Sequence, residues 1–269
     1  MTGAGAQLRR IERYYDTVPR AFARAEAIGP FTLFVSPQPP SYYARPRLGG
    51  EGPITPRDIE AVRARQRQLG VAQTFEWSDW VAPDLVGVAT AAGLEVHRHP
   101  LMVLRQPVAP TLPAGYRLRV LDPDDPALPL AVAAINVGFS TPGTAVGPGG
   151  PRDRDAAVRA DDAGNALTRD KMRRRLMGLV VVEDDSGPVA GGSHSPRDGV
   201  SEITGVATLP CARRRGLGAA VAAALVGDAH RAGVDLCFLS ADSEAVARVY
   251  ARVGFTQVAT ACTAVATAP

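Results

Sequence analysis

An arginine-glycine stretch, Arg213-Arg214-Arg215-Gly216-Leu217-Gly218, stands between an apolar, β-branched run and a long alanine-rich one. The run Ile203 to Thr208 reads as a strand that stops before Pro210, and Leu217 to Ala232 as a helix ended by Gly233. A strand that hands the chain to a helix N-terminus leaves the first helical amides without partners. With the positive end of the helix dipole, such amides make an anion site. Gly216 and Gly218 hold no side chain that would keep phosphate oxygens off the backbone, and the three arginines add positive charge beside it. Phosphate binding is the chemistry this stretch suits. Cys211, just before the turn, reads as a small neutral loop residue; a thiol activated by the helix end is the alternative.

Two common phosphate loops fit worse. A P-loop ends in Gly-Lys-Ser/Thr, which is missing here, and the dinucleotide fingerprint needs a third glycine where Val221 stands. What remains, Arg213-x-x-Gly216-x-Gly218 after Pro210 and a β-rich run, resembles the acetyl-CoA loop of the GNAT superfamily of N-acetyltransferases. A second motif lies at the expected separation. Ser243-x-x-Val246-x-x-x-Tyr250-x-x-x-Gly254-Phe255 resembles that family's Asn-x-x-Ala-x-x-x-Tyr-x-x-x-Gly-Phe, with Ser243 replacing asparagine and Val246 replacing alanine. The resemblance covers Tyr116 to Ala264.

The resemblance implies an α/β fold with a mixed sheet (α+β), the GNAT acyl-CoA N-acyltransferase fold. In that fold the fourth and fifth strands splay apart and the pantetheine arm lies in the gap. It implies acetyl-CoA as co-substrate, no metal, and direct attack of a primary amine on the thioester through a tetrahedral intermediate. By the resemblance, backbone groups of Val206, Ala207 and Thr208 hold the pantetheine and polarise the thioester carbonyl. Amides of Arg214, Arg215, Gly216, Leu217, Gly218 and Ala219 hold the pyrophosphate, Arg213 adds charge, and Ser243 stands where the family's asparagine touches the cofactor. Gly205 is the expected strand bulge. Tyr250 matches the family's general acid: a leaving thiol titrates near about 8.5 and a tyrosine near about 10, so the proton passes with little mismatch. A core tyrosine, packed by Val246, Val249 and Val253, is the other reading. Glu202 resembles the glutamate that some members use as a general base through water; a solvated charge at a strand end is its alternative. His194 is a second candidate base, or a turn histidine.

These residues need a scaffold, and the chain supplies one in order. Tyr116 to Leu121 alternates as a strand, and Asp122 to Phe139 gives a helix irregular at Pro126 and Pro129. Ser140 to Gly164 is a long glycine- and proline-rich loop, a lid or a disordered segment, with a short helix around Asp155 to Arg159. Thr168 caps a helix running to about Met177. Leu179 to Glu183 and Pro188 to His194 form a hairpin around Asp185-Ser186-Gly187, and Ser201 to Thr208 is the next strand. The helix from Leu217 buries Leu217, Val221 and Leu225 and shows Asp228 and Arg231 outward. Leu236 to Ser240, a helix capped by Asp242 or Ser243, and Phe255 to Ala264 complete the family's order.

The first half echoes this. Leu8 to Ala27 reads as a helix that Pro19 kinks or splits, and Phe31 to Val35 as a strand, followed by a proline-rich loop from Pro37 to Pro56. A helix from Ile59 to Leu69, capped by Thr55 with Pro56 first and Gly70 last, leads to a strand at Gln73 to Trp77. Pro83 to Ala92 is a helix and Leu94 to Leu104 a strand bent at Pro100. The echo is clearest where Ala91-Ala92-Gly93-Leu94-Glu95-Val96 resembles Arg252-Val253-Gly254-Phe255-Thr256-Gln257, but no Arg-x-x-Gly-x-Gly precedes the Ile59 helix and Ala89 stands where Tyr250 would fall. The half reads as a degenerate GNAT-like unit in a tandem arrangement; an unrelated α/β cap is the alternative. The organisation is residues 1–105, a linker over 106–115, and a catalytic domain over 116–269.

Composition narrows the partners. In 269 residues, 46% hydrophobic, the formal net charge is +3, almost all of the basic side being arginine. No basic tail marks a nucleic-acid binder, and no apolar run is long enough for a membrane. The N-terminus lacks a signal peptide, and three cysteines without a Cys-x-x-Cys pair point to a reducing cytoplasm. The expected protein is a cytoplasmic acetyl-CoA-dependent N-acetyltransferase acting on a small-molecule amine, since nothing marks a peptide groove. A homodimer is left open. A non-catalytic acyl-CoA-binding sensor or regulatory protein is the alternative, and an arginine-driven nucleic-acid binder a third.

Overall fold

The computed structural model describes residues 3–36, 43–50, 52–109, 111–158 and 163–266. Their elements run α1 (Gly3–Thr17), β1 (Arg24–Ile28), β2 (Phe31–Val35), β3 (Ala44–Pro46), α2 (Pro56–Leu69), β4 (Thr74–Ser78), α3 (Leu85–Ala91) and β5 (Leu94–Leu104). Then follow β6 (Arg117–Val120), α4 (Leu128–Ser140), α5 (Pro151–Ala156), α6 (Ala163–Arg173), β7 (Gly178–Asp184), β8 (Gly187–Arg197) and β9 (Val200–Thr208). The last are α7 (Leu217–Arg231), β10 (Leu236–Ser240), α8 (Glu244–Ala251) and β11 (Phe255–Ala266). Two compact units result: Met1–Leu101 with Gln257–Pro269, and Met102–Thr256. This differs from a cut at residues 106–115, because β11 supplies its larger part to the first unit.

In the first unit the strands lie in the order β1-β2-β3-β4-β11-β5. Its core is Phe31, Leu33, Ile59, Val62, Phe75 and Trp77, joined by Cys262 and Ala264 of β11. The capping of α2 follows the sequence. The Thr55 amide donates to the Asp58 carboxylate at 2.9 Å, the Asp58 amide donates back to the Thr55 hydroxyl, Pro56 opens the helix and Gly70 closes it at φ 66°. The N-terminal helix is shorter than expected. Pro19 ends it, because a proline nitrogen cannot donate to the preceding turn. Arg24–Ile28 is then a strand, paired antiparallel with β2 around Gly29-Pro30. A short strand, β3, also falls within the expected loop; residues 37–42 and 51 of that loop lie outside the described residues.

In the second unit the order is β5-β10-β9-β8-β7-β6. β7 shows the period-2 logic of a strand covered on both faces. Val180 and Val182 point into a core with Val221, Leu225 and Phe255, whereas Leu179 and Val181 pack with Leu128, Ala131 and Met172. The α4 helix begins at Leu128, with Pro129 in its first turn as proline prefers. Thr168 does not cap a helix; it lies inside α6 and its hydroxyl donates to the Gly164 carbonyl at 2.9 Å. Residues 106–108 are not a loose tether. The Val108 amide donates to the Val253 carbonyl at 3.3 Å, and the neighbouring Arg105 amide to that of Gly254 at 2.9 Å.

Candidate active site

The site grows from the parting of two parallel strands. β9 and β10 pair only at Val200–Glu202 with Leu236–Phe238. Beyond that β9 runs on to Thr208 without β10 alongside. Its other edge stays paired with β8, but the register shifts between Gly191↔Ala207 and Ser193↔Thr204. Two residues of β9, Gly205 and Val206, therefore oppose one of β8, and Gly205 takes φ +64°. This is a β-bulge, and it twists the strand where its backbone is open to a ligand.

At the end of β9 the chain turns through a 3₁₀ segment, Pro210–Ala212, and enters α7 at Gly216, whose φ of 79° is left-handed. Among the described residues, no acceptor within the protein meets the amides of Arg214 to Ala219; the Arg213 amide before them bonds the Pro210 carbonyl at 3.4 Å, and the next bonded amide is that of Ala220, to the Gly216 carbonyl at 3.1 Å. The turn and strand are brought together. A Cβ built on Gly218 would stand 3.7 Å from the Thr208 hydroxyl oxygen and 4.0 Å from a Val206 methyl. That is ordinary contact, so the protein's own packing does not demand glycine at 218 and the space above it stays open. The row of unpartnered amides and this cradle fit a diphosphate. Arg214 and Arg215 are exposed beside it, and Arg215 donates to the Tyr116 hydroxyl at 2.6 Å.

Arg213 departs from the expectation. Its side chain turns inward and is 9% exposed. Its guanidinium donates to the carbonyls of Gly138 and Thr141 at 2.7 Å each, of Ala145 at 3.1 Å and of Thr208 at 3.4 Å. A planar fork with five donors suits this work, and its charge is spent on the protein's own carbonyls. The glycine-rich loop after α4 is braced by the same turn: the Gly147 amide donates to the Pro210 carbonyl at 3.1 Å and the Cys211 amide to that of Gly149 at 2.9 Å. The loop up to Gly150 is thus bonded to the turn before α7 rather than a lid. Residues 159–162, at its far end, lie outside the described residues. The signal for this brace was the glycine run itself, whose small residues let two loops touch.

The remaining candidates divide. Glu202 is the last residue of β9 paired with β10, opposite Phe238 there and Ser195 on β8, at the point where β9 and β10 part. Tyr250 lies on α8, which packs on α7, with its ring edge-on to Phe255 at 6.1 Å. Burial pushes its hydroxyl up to about 12. It is a firmly neutral donor, but the gap to a thiol near about 8.5 is wider than for a solvent tyrosine. Ser243 caps α8, its hydroxyl accepting from the Val246 amide at 3.4 Å. His194 is neither a turn residue nor open to solvent. It lies in β8, 1% exposed, between the Ser201 hydroxyl at 3.0 Å and the Asp228 carboxylate at 3.1 Å. Asp228 is therefore turned partly inward on α7, and burial holds His194 below its ordinary value.

The comparisons bear on the fold that carries this geometry. Residues 152–255, less than half of the chain, match the model of the Acetyltransferase (GNAT) family. No curated protein matches the sequence. Among solved structures, a GCN5-related N-acetyltransferase from Kribbella flavida is similar with a TM-score of 0.71 at 21% identity, over 97% of this chain and 96% of that one. A tandem GNAT protein from the clavulanic acid biosynthesis pathway gives 0.55 at 17% identity, over 89% and 79%. A GCN5-related N-acetyltransferase-like protein from Streptococcus suis gives 0.55 at 14% identity, over 98% and 99%. At these identities the likeness is one of fold, and the fold is that of GNAT proteins, tandem ones included.

Proposed function

We propose, from the match of residues 152–255 to the Acetyltransferase (GNAT) family model, that the second unit transfers an acetyl group from acetyl-CoA to a primary amine of a small molecule. The observation that carries this reading is the open cradle at Gly216–Gly218 beside the bulged, half-unpaired end of β9. The thioester supplies an activated acyl carbon when bound. Amides of Arg214 to Ala219 hold the diphosphate, and the β9 backbone from Val206 to Thr208 orients the arm and polarises the carbonyl. Glu202, at the mouth of the gap, takes the amine's proton through water. Tyr250 donates its hydroxyl hydrogen to the departing sulfur. With the tyrosine near 12 and a thiol near about 8.5, full transfer is uphill by about 5 kcal/mol unless burial raises the thiol too. Hydrogen bonding to the sulfur is therefore its main contribution.

Calorimetric titration with acetyl-CoA tests the cradle, with Gly216→Glu as the comparison. Binding with a dissociation constant on the order of micromolar, lost in the variant, supports the reading; no binding by either protein overturns it. A thiol-release assay over an amine panel then tests catalysis. An enzyme loses turnover in Tyr250→Phe while keeping acetyl-CoA binding, whereas an acyl-CoA sensor shows no turnover to lose.

A further inference from the structure

The first unit contains a cleft of about 350 Å³ that the transfer reaction does not use, within the size range of small-molecule sites, about 300–1,000 Å³. One wall is α1. That helix carries two stripes. Leu8, Ile11 and Tyr15 are buried in the unit, while Arg9, Glu12, Arg13 and Asp16, at helical i, i+3, i+4, i+7 spacing, line the cleft. The rest of the lining comes from the end of β3 with the turn after it, Arg47 to Gly50, and the Trp80-Val81 corner after β4.

Arg45 forms part of the floor. It is 6% exposed, with its guanidinium carbon 4.0 Å from the centre of the Tyr15 ring. The carboxylates of Glu76 and Glu12 lie 3.0 and 3.6 Å away, close in charge but misaligned for hydrogen bonds. Glu12 accepts the Ser78 hydroxyl at 2.5 Å, and Asp16 is paired with Arg20 at 2.8 Å. The acids of the cleft are thus committed to the protein. Arg13 and Arg47 are not: among the described residues neither has an ion pair, and Arg47 makes only a long bond of 3.5 Å to the Gly29 carbonyl. Beside them Trp80 is 40% exposed and Leu48 51%. A structural role for Arg45 accounts for the floor, but not for two uncommitted cations and an exposed indole lining one recess.

We propose that this cleft is a second ligand site, which takes a small organic anion: a carboxylate or phosphate head for Arg13 and Arg47 on a flat apolar body for Trp80. The chain's other tryptophan, Trp77, is 1% exposed, so quenching of emission reports Trp80. Titration of the full chain with phenylphosphate and with 3-phenylpropionate separates a phosphate head from a carboxylate one. Inorganic phosphate tests charge alone, and benzylamine tests the ring alone. The expected result is saturable quenching by at least one ring-bearing anion, weakened about tenfold in each of Arg13→Gln and Arg47→Gln. It is retained in Gly216→Glu, which keeps this site's fate separate from that of the acetyl-CoA cradle. No saturation by either anion up to about 10 mM, equal binding of benzylamine, unchanged binding in both arginine variants, or loss in Gly216→Glu overturns the proposal.

Discussion

Replacing Arg213 by alanine separates two roles that look alike in a sequence. If the guanidinium is a brace, its removal strips donors from four carbonyls. Two of these, Gly138 and Thr141, are bonded at 2.7 Å in sheltered surroundings. Ala145 is exposed and Thr208 lies at the limit of bonding, so water and relaxation make good most of their loss. At about 1.5 kcal/mol for each sheltered acceptor left unmet, the variant is destabilised by about 3 kcal/mol. In a unit of this size that lowers the melting temperature by about 6–12 °C. Arg213→Lys keeps one charged head without the fork and falls about midway. Thermal melts read this directly, and acetyl-CoA titration of the same proteins reads the alternative. A variant that melts within about 2 °C of the parent while its affinity for acetyl-CoA collapses would make Arg213 a phosphate ligand and refute the brace.

Gly218→Ala, whose new methyl meets nothing closer than 3.7 Å, should leave the melt unchanged or raise it by up to about 1 kcal/mol, while calorimetry shows acetyl-CoA affinity at least about tenfold weaker. Gly138→Ala places a Cβ 2.8 Å from that of Ala207 and 3.1 Å from the Thr208 carbonyl oxygen, so it should cost about 1–3 kcal/mol in urea unfolding. Gly254→Ala combines φ +99° with a Cβ 1.7 Å from the Gln106 carbonyl oxygen; it should cost about 3 kcal/mol or more and expose residues 105–108 to limited proteolysis. His194 is held neutral by burial against the pull of Asp228. Its folded value lies below the ordinary 6.5, so the unfolded chain binds the extra proton first. Stability from this site is present above pH 6.5 and falls as the pH drops below it; His194→Gln should flatten that part of a urea-midpoint profile.

Elements with their own punctuation were legible. The α2 helix carries Thr55, Pro56 and Gly70 at its ends, and β10 is a short apolar run between polar neighbours. The turn into α7 was legible because only glycine accepts the left-handed step at 216 without strain. What failed depended on distant partners. Arg24–Ala27 falls in the stretch read as the end of the Leu8–Ala27 helix, but Gly29-Pro30 folds it onto β2. Thr168 looks like a cap only when the residues before it are read as loop. Arg213 could not be told from its exposed neighbours, because its acceptors lie 5 to 75 positions away. His194 sits beside a turn in sequence but points between Ser201 and Asp228.

The division of β11 has a consequence for how the protein is made. Residues from Ser78 to Thr74 of β4 pair with Ala261 to Val265 of the last strand, and Cys262 and Ala264 fill the first unit's core. The first unit is therefore closed by a strand that leaves the ribosome long after the rest of that unit. At synthesis rates of 5–20 residues per second, roughly 8–30 s separate Leu101 from Gln257. Through that interval β4 waits with one edge unpaired and Trp77 without its cover, the kind of surface that chaperones hold. Severing the gene between the halves would make that pause permanent for the first of them.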